Sequence, residues 1–363
     1  MHVSRREFLT AALGLAATGC AVTSGSSSGP ATVVPESVAV SGQPLDPLLR
    51  LSLPADAVAT ETITAFARQT GVRVRYKPPQ TSDTQLLLDL AAGKQGRLDV
   101  ALVQGDVLPY LISQNLVEPI DRALVPNLQW LAPPFGDPPY DAHSAHSVGT
   151  DYTVIGYVAS DPLQISPADT WRGFFRLARQ VPGSVAVPDD SEAVVGAALL
   201  ATGHPWSSAS ASDLDDAHRL LAGVRKSLVV EGRLDRTKLS DRRAAALCSG
   251  YGFRFRNPAT PPTFVVPQEG TVFRMRSYCI LSLAPDPVTA HAWLNASLDP
   301  FVARENVMTT HLASTVGQTD YLLSQSILAN PAIYPPATLE PRLHFASATG
   351  ADARASLWQE VRP

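Results

Sequence analysis

Cys20, the pair Cys248 and Cys279, the group Asp141, His143 and His146, and the arginines at 274 and 276 are the side chains of this 363-residue chain whose types and spacing could do chemistry. Cys20 closes the run Ala17-Thr18-Gly19-Cys20, behind an apolar stretch from Phe8 to Ala17 that Ser4-Arg5-Arg6-Glu7-Phe8-Leu9 introduces. Twin arginines, a short apolar segment and small residues before a cysteine make a twin-arginine export leader over residues 1–19 and offer the Cys20 thiol for acylation. The apolar run is well short of the ~20 residues a spanning helix needs, so a cleaved leader is expected and not a transmembrane span. Ala17 stands where leucine is commonest in such sites, and the alternative is an ordinary exported protein with a chance cysteine.

Cys248 and Cys279 lie in apolar, strand-like stretches and either form a disulfide or remain two buried thiols. Asp141, His143 and His146 have spacing that could suit a metal, but they follow a proline-rich loop without a convincing fourth ligand. A plain loop is the reading there; no metal and no cofactor are expected. Catalysis would need a nucleophile with a base and an orienting partner, and the Gly-x-Ser-x-Gly match, Gly25-Ser26-Ser27-Ser28-Gly29, falls in a serine-glycine run with no strand-to-helix context, so an enzyme is not expected. Side chains two apart on a strand share a face, so Phe273-Arg274-Met275-Arg276-Ser277 would present both guanidinium groups on the same side.

The elements that must position these groups follow from the chain's patterning. Residues 20–45 hold Ser24-Gly25-Ser26-Ser27-Ser28-Gly29-Pro30 and almost no charge, a composition that forms no core and reads as a flexible tether. The mature protein is therefore expected outside the cytoplasm, in the periplasm or cell-envelope space, held to the membrane only by its lipid anchor. A net charge of -4 with a pI near 6.1 gives no basic footprint, so nucleic acid is not an expected partner. Asp46 to Pro363 is long enough for two domains of ordinary size. Strands are predicted at 49–53, 72–76 and 98–103, alternating with helices at 58–69, 86–92 and 107–114, the signature of a parallel sheet wrapped by helices. A strand at 154–159 leads away. A second α/β unit starts near Asp161, with a strand at 185–187, a helix capped by Asp189 or Asp190 and running to about Thr202, and a helix to Gly223 whose Ser212 and Asp215 resemble a capping box. Strands at 244–247 and 263–266 and helices at 287–298 and 300–309 complete the reading.

Several stretches, in order along nearly the whole mature chain, resemble the spermidine/putrescine-binding subunits of bacterial ABC importers. They are Phe66-Ala67-Arg68-Gln69-Thr70-Gly71-Val72-Arg73-Val74, Leu98-Asp99-Val100, Asn127-Leu128, Pro139-Tyr140-Asp141, Ser147-Val148 and Ile155-Gly156-Tyr157. Asp189-Asp190 with Val194 to Leu199, Pro267-Gln268-Glu269-Gly270-Thr271 and Asn330-Pro331-Ala332-Ile333-Tyr334-Pro335 follow. The resemblance implies an α/β, two-lobed type II periplasmic-binding-protein fold with an interlobe ligand cleft. Lobe 1 would be 46–155 plus 275–315, and lobe 2 would be 156–274 plus 316–363. It further implies an extracytoplasmic solute-binding lipoprotein, expected as a monomer, that delivers a small charged solute to an ABC permease and its ATPase.

The family grips polyamines with aromatic walls and carboxylates, and this chain departs from that pattern. Its Trp and Tyr at the first strand-to-helix turn correspond to Pro54 and Ala57, leaving Asp56 as the charged group; its Ser-x-Tyr corresponds to Gln104-Gly105-Asp106. Asp190 matches a ligand carboxylate, but the following Glu corresponds to Ala193, with Glu192 one position off; Asp190 and Glu192 could equally cap a helix. A wall tryptophan falls near Cys248 or Ser249, where Tyr251 is the aromatic at hand. Arg274 and Arg276 replace a Trp and an essential Asp; either they form a solvated basic edge, or Arg276 pairs with Asp190 or Asp106 across the cleft, or they grip the solute. The last reading predicts a solute that is not a simple polyamine, whose anionic or hydrogen-accepting group meets Arg276 with Arg274 nearby, while Asp190 and Asp106 meet any positive group. Ferric-ion binders share the architecture but use neighbouring tyrosines, and this chain has no Tyr-Tyr pair. The alternative function is an envelope interaction protein using a degenerate binding-protein fold, its cleft filled by its own Arg-Asp pairs.

Overall fold

A computed structural model describes residues 42–54, 57–77, 83–94, 96–159, 169–231, 244–250 and 263–363. Cys20, Asp56 and Tyr251 lie outside the described residues.

Two blocks of parallel strands flank two long crossing strands. The first block is β1 (Leu48–Ser52), β2 (Arg73–Lys77) and β3 (Val100–Gln104), connected through α1 (Thr60–Thr70) and α2 (Asp83–Ala91) and followed by α3 (Leu108–Ser113). β4 (Val148–Ala159) then runs the length of both halves. The second block comprises α4 (Trp171–Gln180), β5 (Val185–Val187), α5 (Ser191–Thr202), α6 (Ala211–Val224), β6 (Leu228–Val230), β7 (Ala245–Ser249) and β8 (Thr263–Val265). β9 (Thr271–Ile280) returns across the seam to α7 (Pro287–Ser297), α8 (Pro300–Thr310) and β10 (Ala313–Ser314); β11 (Leu343–Phe345) and α9 (Ala351–Val361) end the chain.

Among the described residues the strand order is β2-β1-β3-β9-β4-β7-β5-β6, with β8 and β10 on β4 and β11 on β9. Pairing is parallel within each block and antiparallel wherever β4 or β9 takes part with β3 or β7. β4 pairs with β9 through Val154, then with β7 from Ile155 onward, so the seam falls at Val154 and Ile155 on one strand and around Arg274 on the other.

Local chemistry explains the helix limits. α1 stops at Gly71, whose φ of 74° is the left-handed conformation a glycine enters freely and whose N–H returns to the Ala67 carbonyl. α7 and α8 both start as Asp-Pro: the carboxylates of Asp286 and Asp299 accept first-turn amides, and proline fills a position that needs no N–H donor. Ser212 and Asp215 do not form the expected box. The helix begins at Ala211 with Ser210 in the cap position, two residues earlier than a Ser212 cap requires, so Ser212 already sits inside its first turn with its hydroxyl against Ser210.

Each block buries its own core. Trp293 of α7 meets Phe66 edge-on at 5.1 Å and Tyr278 at 5.9 Å in the first. Trp171, Phe174, Tyr157 and Trp206 pack together in the second, joined by Trp358 of α9. Cys248 and Cys279 are both buried thiols not joined in a disulfide, and burial pushes the Cys279 thiol up to about 12. Asp141 is a turn residue: it accepts the Ser147 hydroxyl at 2.7 Å and the His146 amide at 3.1 Å.

Candidate binding cleft

Parallel strands open their carboxyl ends toward a shared crevice where their connections diverge. β3 ends there in Gln104-Gly105-Asp106, and β5 ends there in the turn to Asp189-Asp190. Arg274, on β9 at the seam, reaches both: one guanidinium nitrogen lies 3.4 Å from an Asp190 oxygen and the other 3.7 Å from an Asp106 oxygen. Asp190 also caps α5, accepting the Ala193 amide at 3.0 Å, so capping and the cleft contact use its two separate oxygens. Burial opposes the charge on Arg274, but Asp190, Asp106 and Glu192 together outweigh it and hold the guanidinium above its ordinary pKa.

Arg276 shares the face of Arg274 but has another partner. Asp151 stands directly opposite it on β4, and the two form a paired contact, Nε to Oδ1 at 2.6 Å and a terminal nitrogen to Oδ2 at 2.7 Å, with a further bond to the Ala57 carbonyl. The Arg276 side chain is only 8% exposed. Of the readings open for Arg276, pairing with Asp190 or Asp106 is not what the geometry gives: Arg274 takes those two acids and Asp151 pairs with Arg276. No sequence pattern marked Asp151, because register across the β4–β9 pair, with its irregularity between Gly149 and Asp151, decides which residue faces Arg276.

Glu192 is likewise held from inside. Its carboxylate accepts Arg354 Nε at 2.7 Å and Trp206 Nε1 at 2.9 Å, and Arg354 is fully buried with further bonds to the Thr349 and Ser347 carbonyls. Burial pushes the Glu192 pKa up, with Arg354 opposing the shift. Asp189 completes the docking of α9, accepting Trp358 Nε1 at 2.9 Å and pairing with Arg362 at 3.0 Å. Three acids within four positions therefore divide their work: Asp189 and Glu192 fix the C-terminal helix, and Asp190 faces Arg274.

Two cleft residues escaped the sequence reading. Asp83, the first residue of α2, accepts the Gln104 amide at 2.9 Å; burial raises its pKa, Asp106 adds to the rise, and Arg276 and Arg274 oppose it. Tyr140 packs its hydroxyl so tightly on Gly105 that a Cβ there would lie 2.2 Å from the oxygen, so the bend between Gln104 and Asp106 requires glycine. Burial pushes the Tyr140 phenol upward. Gln104, Gly105, Asp106, Tyr140, Arg274 and Met275 line a cavity of about 10 Å³, room for about one water molecule.

Two strand blocks bridged by crossing strands, with charged side chains converging at the seam, define a two-lobed type II periplasmic-binding-protein fold. The chain belongs to the bacterial extracellular solute-binding protein family, whose model matches residues 61–333. It is 22% identical over 284 residues to the spermidine/putrescine-binding periplasmic protein of Escherichia coli, covering 76% of this chain and 78% of that one. It is 24% identical over 334 residues to the putrescine/cadaverine-binding protein of Pseudomonas aeruginosa, covering 85% and 91%. The spermidine/putrescine ABC transporter substrate-binding protein of Streptococcus pneumoniae superposes with a TM-score of 0.80 at 17% identity, covering 87% of this chain and 98% of that chain. These relatives are solute-binding proteins rather than enzymes. Among the described residues, no helix is long and apolar enough to cross a membrane.

Proposed function

We propose that this chain is the extracytoplasmic solute-binding subunit of an ABC importer, a monomer tethered by acylated Cys20, that closes two lobes on a small charged solute and presents the closed form to a permease and its ATPase. The lobes are 46–155 plus 275–315 and 156–274 plus 316–363. Support comes from the packing of α7 on the first block, of α9 on the second, and of β4 and β9 across both. Binding energy that contacts both lobes favours the closed arrangement and so carries the signal without chemistry on the solute.

The single observation that carries the solute class is Arg274 between Asp106 and Asp190. A solute bearing both signs can lay its anionic group on Arg274 and its ammonium on the aspartates, whereas a simple polyamine meets a fixed like charge. At about 4 Å and an effective dielectric of about 20, that repulsion is on the order of 4 kcal/mol. Arg276, Gln104, Asp56, Glu192 and Tyr251 complete the proposed site set, with the anion grip assigned to Arg274 because Asp151 already neutralises Arg276. A thermal-shift screen of polyamines, amino acids, dicarboxylates and phosphorylated compounds tests this, since a solute at 100 times its Kd adds about 2.7 kcal/mol. Stabilisation by an amphoteric compound supports the proposal; stabilisation by polyamines alone removes the solute class.

A second reading, the envelope interaction protein with a degenerate cleft, is favoured by the same ion bridge, because the two carboxylates are already matched by a side chain of the protein. A screen in which no compound of any class shifts the melting temperature supports it.

A further inference from the structure

We infer that Arg274 is a tethered surrogate for a cationic solute: its guanidinium occupies a latent diamine site between the two strand blocks, and this one residue is what excludes free diamines. The inference rests on the reading of this cleft as the solute site, and it does not depend on which solute the wild type carries.

Charge balance points to it. Asp106 and Asp190 contact Arg274 directly, and Asp83 accepts the Gln104 amide at the end of β3. Arg276 is matched by Asp151 at 2.6 and 2.7 Å. Removing the Arg274 charge therefore leaves Asp106 and Asp190, one from each block, without the cation that bridges them, while Arg276 stays matched by Asp151. Such a pair is a demand for positive charge. Space points the same way. The cavity beside Arg274 is about 10 Å³ while the side chain is in place, and the side chain beyond Cβ has as many non-hydrogen atoms as putrescine. A four-carbon diamine is thus matched in bulk to what a truncation removes, and its two ammonium groups can meet carboxylates contributed by both blocks, as the guanidinium does.

The test is isothermal titration calorimetry of putrescine against wild type, Arg274→Ala, Arg274→Gln and the double variant Arg274→Ala/Asp190→Ala, with folding checked by circular dichroism. Putrescine should bind Arg274→Ala at least a hundredfold more tightly than wild type, bind Arg274→Gln by an intermediate factor, and lose the gain in the double variant. The neutral isostere 1,4-butanediol should bind none of them. A folded Arg274→Ala that binds putrescine no better than wild type overturns the inference, as does equal binding of butanediol, which would mark a bare cavity. Should Arg274→Ala fail to fold, Arg274→Gln decides, since it removes the charge and shortens the side chain, and putrescine binding no tighter there than in wild type overturns the inference. Wild-type binding of an amphoteric solute is measured separately, so failure of the solute class and failure of the latent site give different results.

Discussion

Arg276 and Asp151 face each other across the β4–β9 strand pair as a two-contact ion pair that is almost wholly buried, just to the first-block side of the seam. Breaking such a pair from one side leaves an uncompensated charge in low dielectric. Arg276→Ala and Asp151→Ala should each lower unfolding stability by about 3–5 kcal/mol, and replacing both by apolar residues of similar volume should recover most of the loss. Urea denaturation of the three variants checks this. Single-variant losses under about 1 kcal/mol would show the pair to be solvated in the manner of surface ion pairs.

Arg354, fully buried, holds Glu192 at the start of α5 and so supports the helix that Asp190 caps. Arg354→Ala should cost a similar amount, about 3–5 kcal/mol, for the same reason. It should also raise amide hydrogen exchange at Ala193, whose N–H is held by Asp190. Unchanged exchange in a folded variant would separate the C-terminal helix from the cleft.

Asp83 carries a sign that can be read against pH. Burial raises its folded pKa above the ordinary 3.8, so between those two values the folded state binds the extra proton and stability falls as pH rises. Asp83→Asn removes this contribution. The variant should therefore gain stability relative to wild type as pH rises from about 4 toward neutrality. Denaturation midpoints at several pH values check it, and a gap that narrows or reverses with rising pH contradicts it.

Cys20 is expected to anchor the mature protein, on the evidence of Arg5-Arg6, the apolar run and Gly19-Cys20. Cys20→Ala should move the protein from the membrane fraction to the soluble fraction of the envelope. A variant as membrane-bound as wild type would remove the lipoprotein claim.

Local signals made the first block legible. Helical spacing of Ile63 and Phe66, the Gly71 stop and the apolar run at Val100 fall within a few residues of the observed elements, and of the two caps the sequence offered, Asp189 and Asp190, the helix uses Asp190. α4 was missed although Trp171, Phe174, Phe175 and Ala178 recur at helical spacing, and α9 was missed because its moderate apolar content gives no strong stripe until Arg354 and Trp358 are seen docked. In the cleft, the shared face of Arg274 and Arg276 followed from strand geometry alone. Which acid each arginine grips did not, because Asp151, Asp106 and Asp190 come from distant elements brought together by sheet register. Asp83 had no local signature at all: its role comes from the approach of α2 to the end of β3.

The central claim, that Arg274 turns this cleft away from simple polyamines, is tested most directly by calorimetry of the wild-type protein with spermidine and putrescine. The ion bridge predicts binding weaker by roughly a thousandfold than a cleft without the arginine would give, the equivalent of about 4 kcal/mol. Tight spermidine or putrescine binding by the wild type, undiminished by Asp190→Ala, would contradict both the solute class and the roles assigned to Arg274 and Asp190.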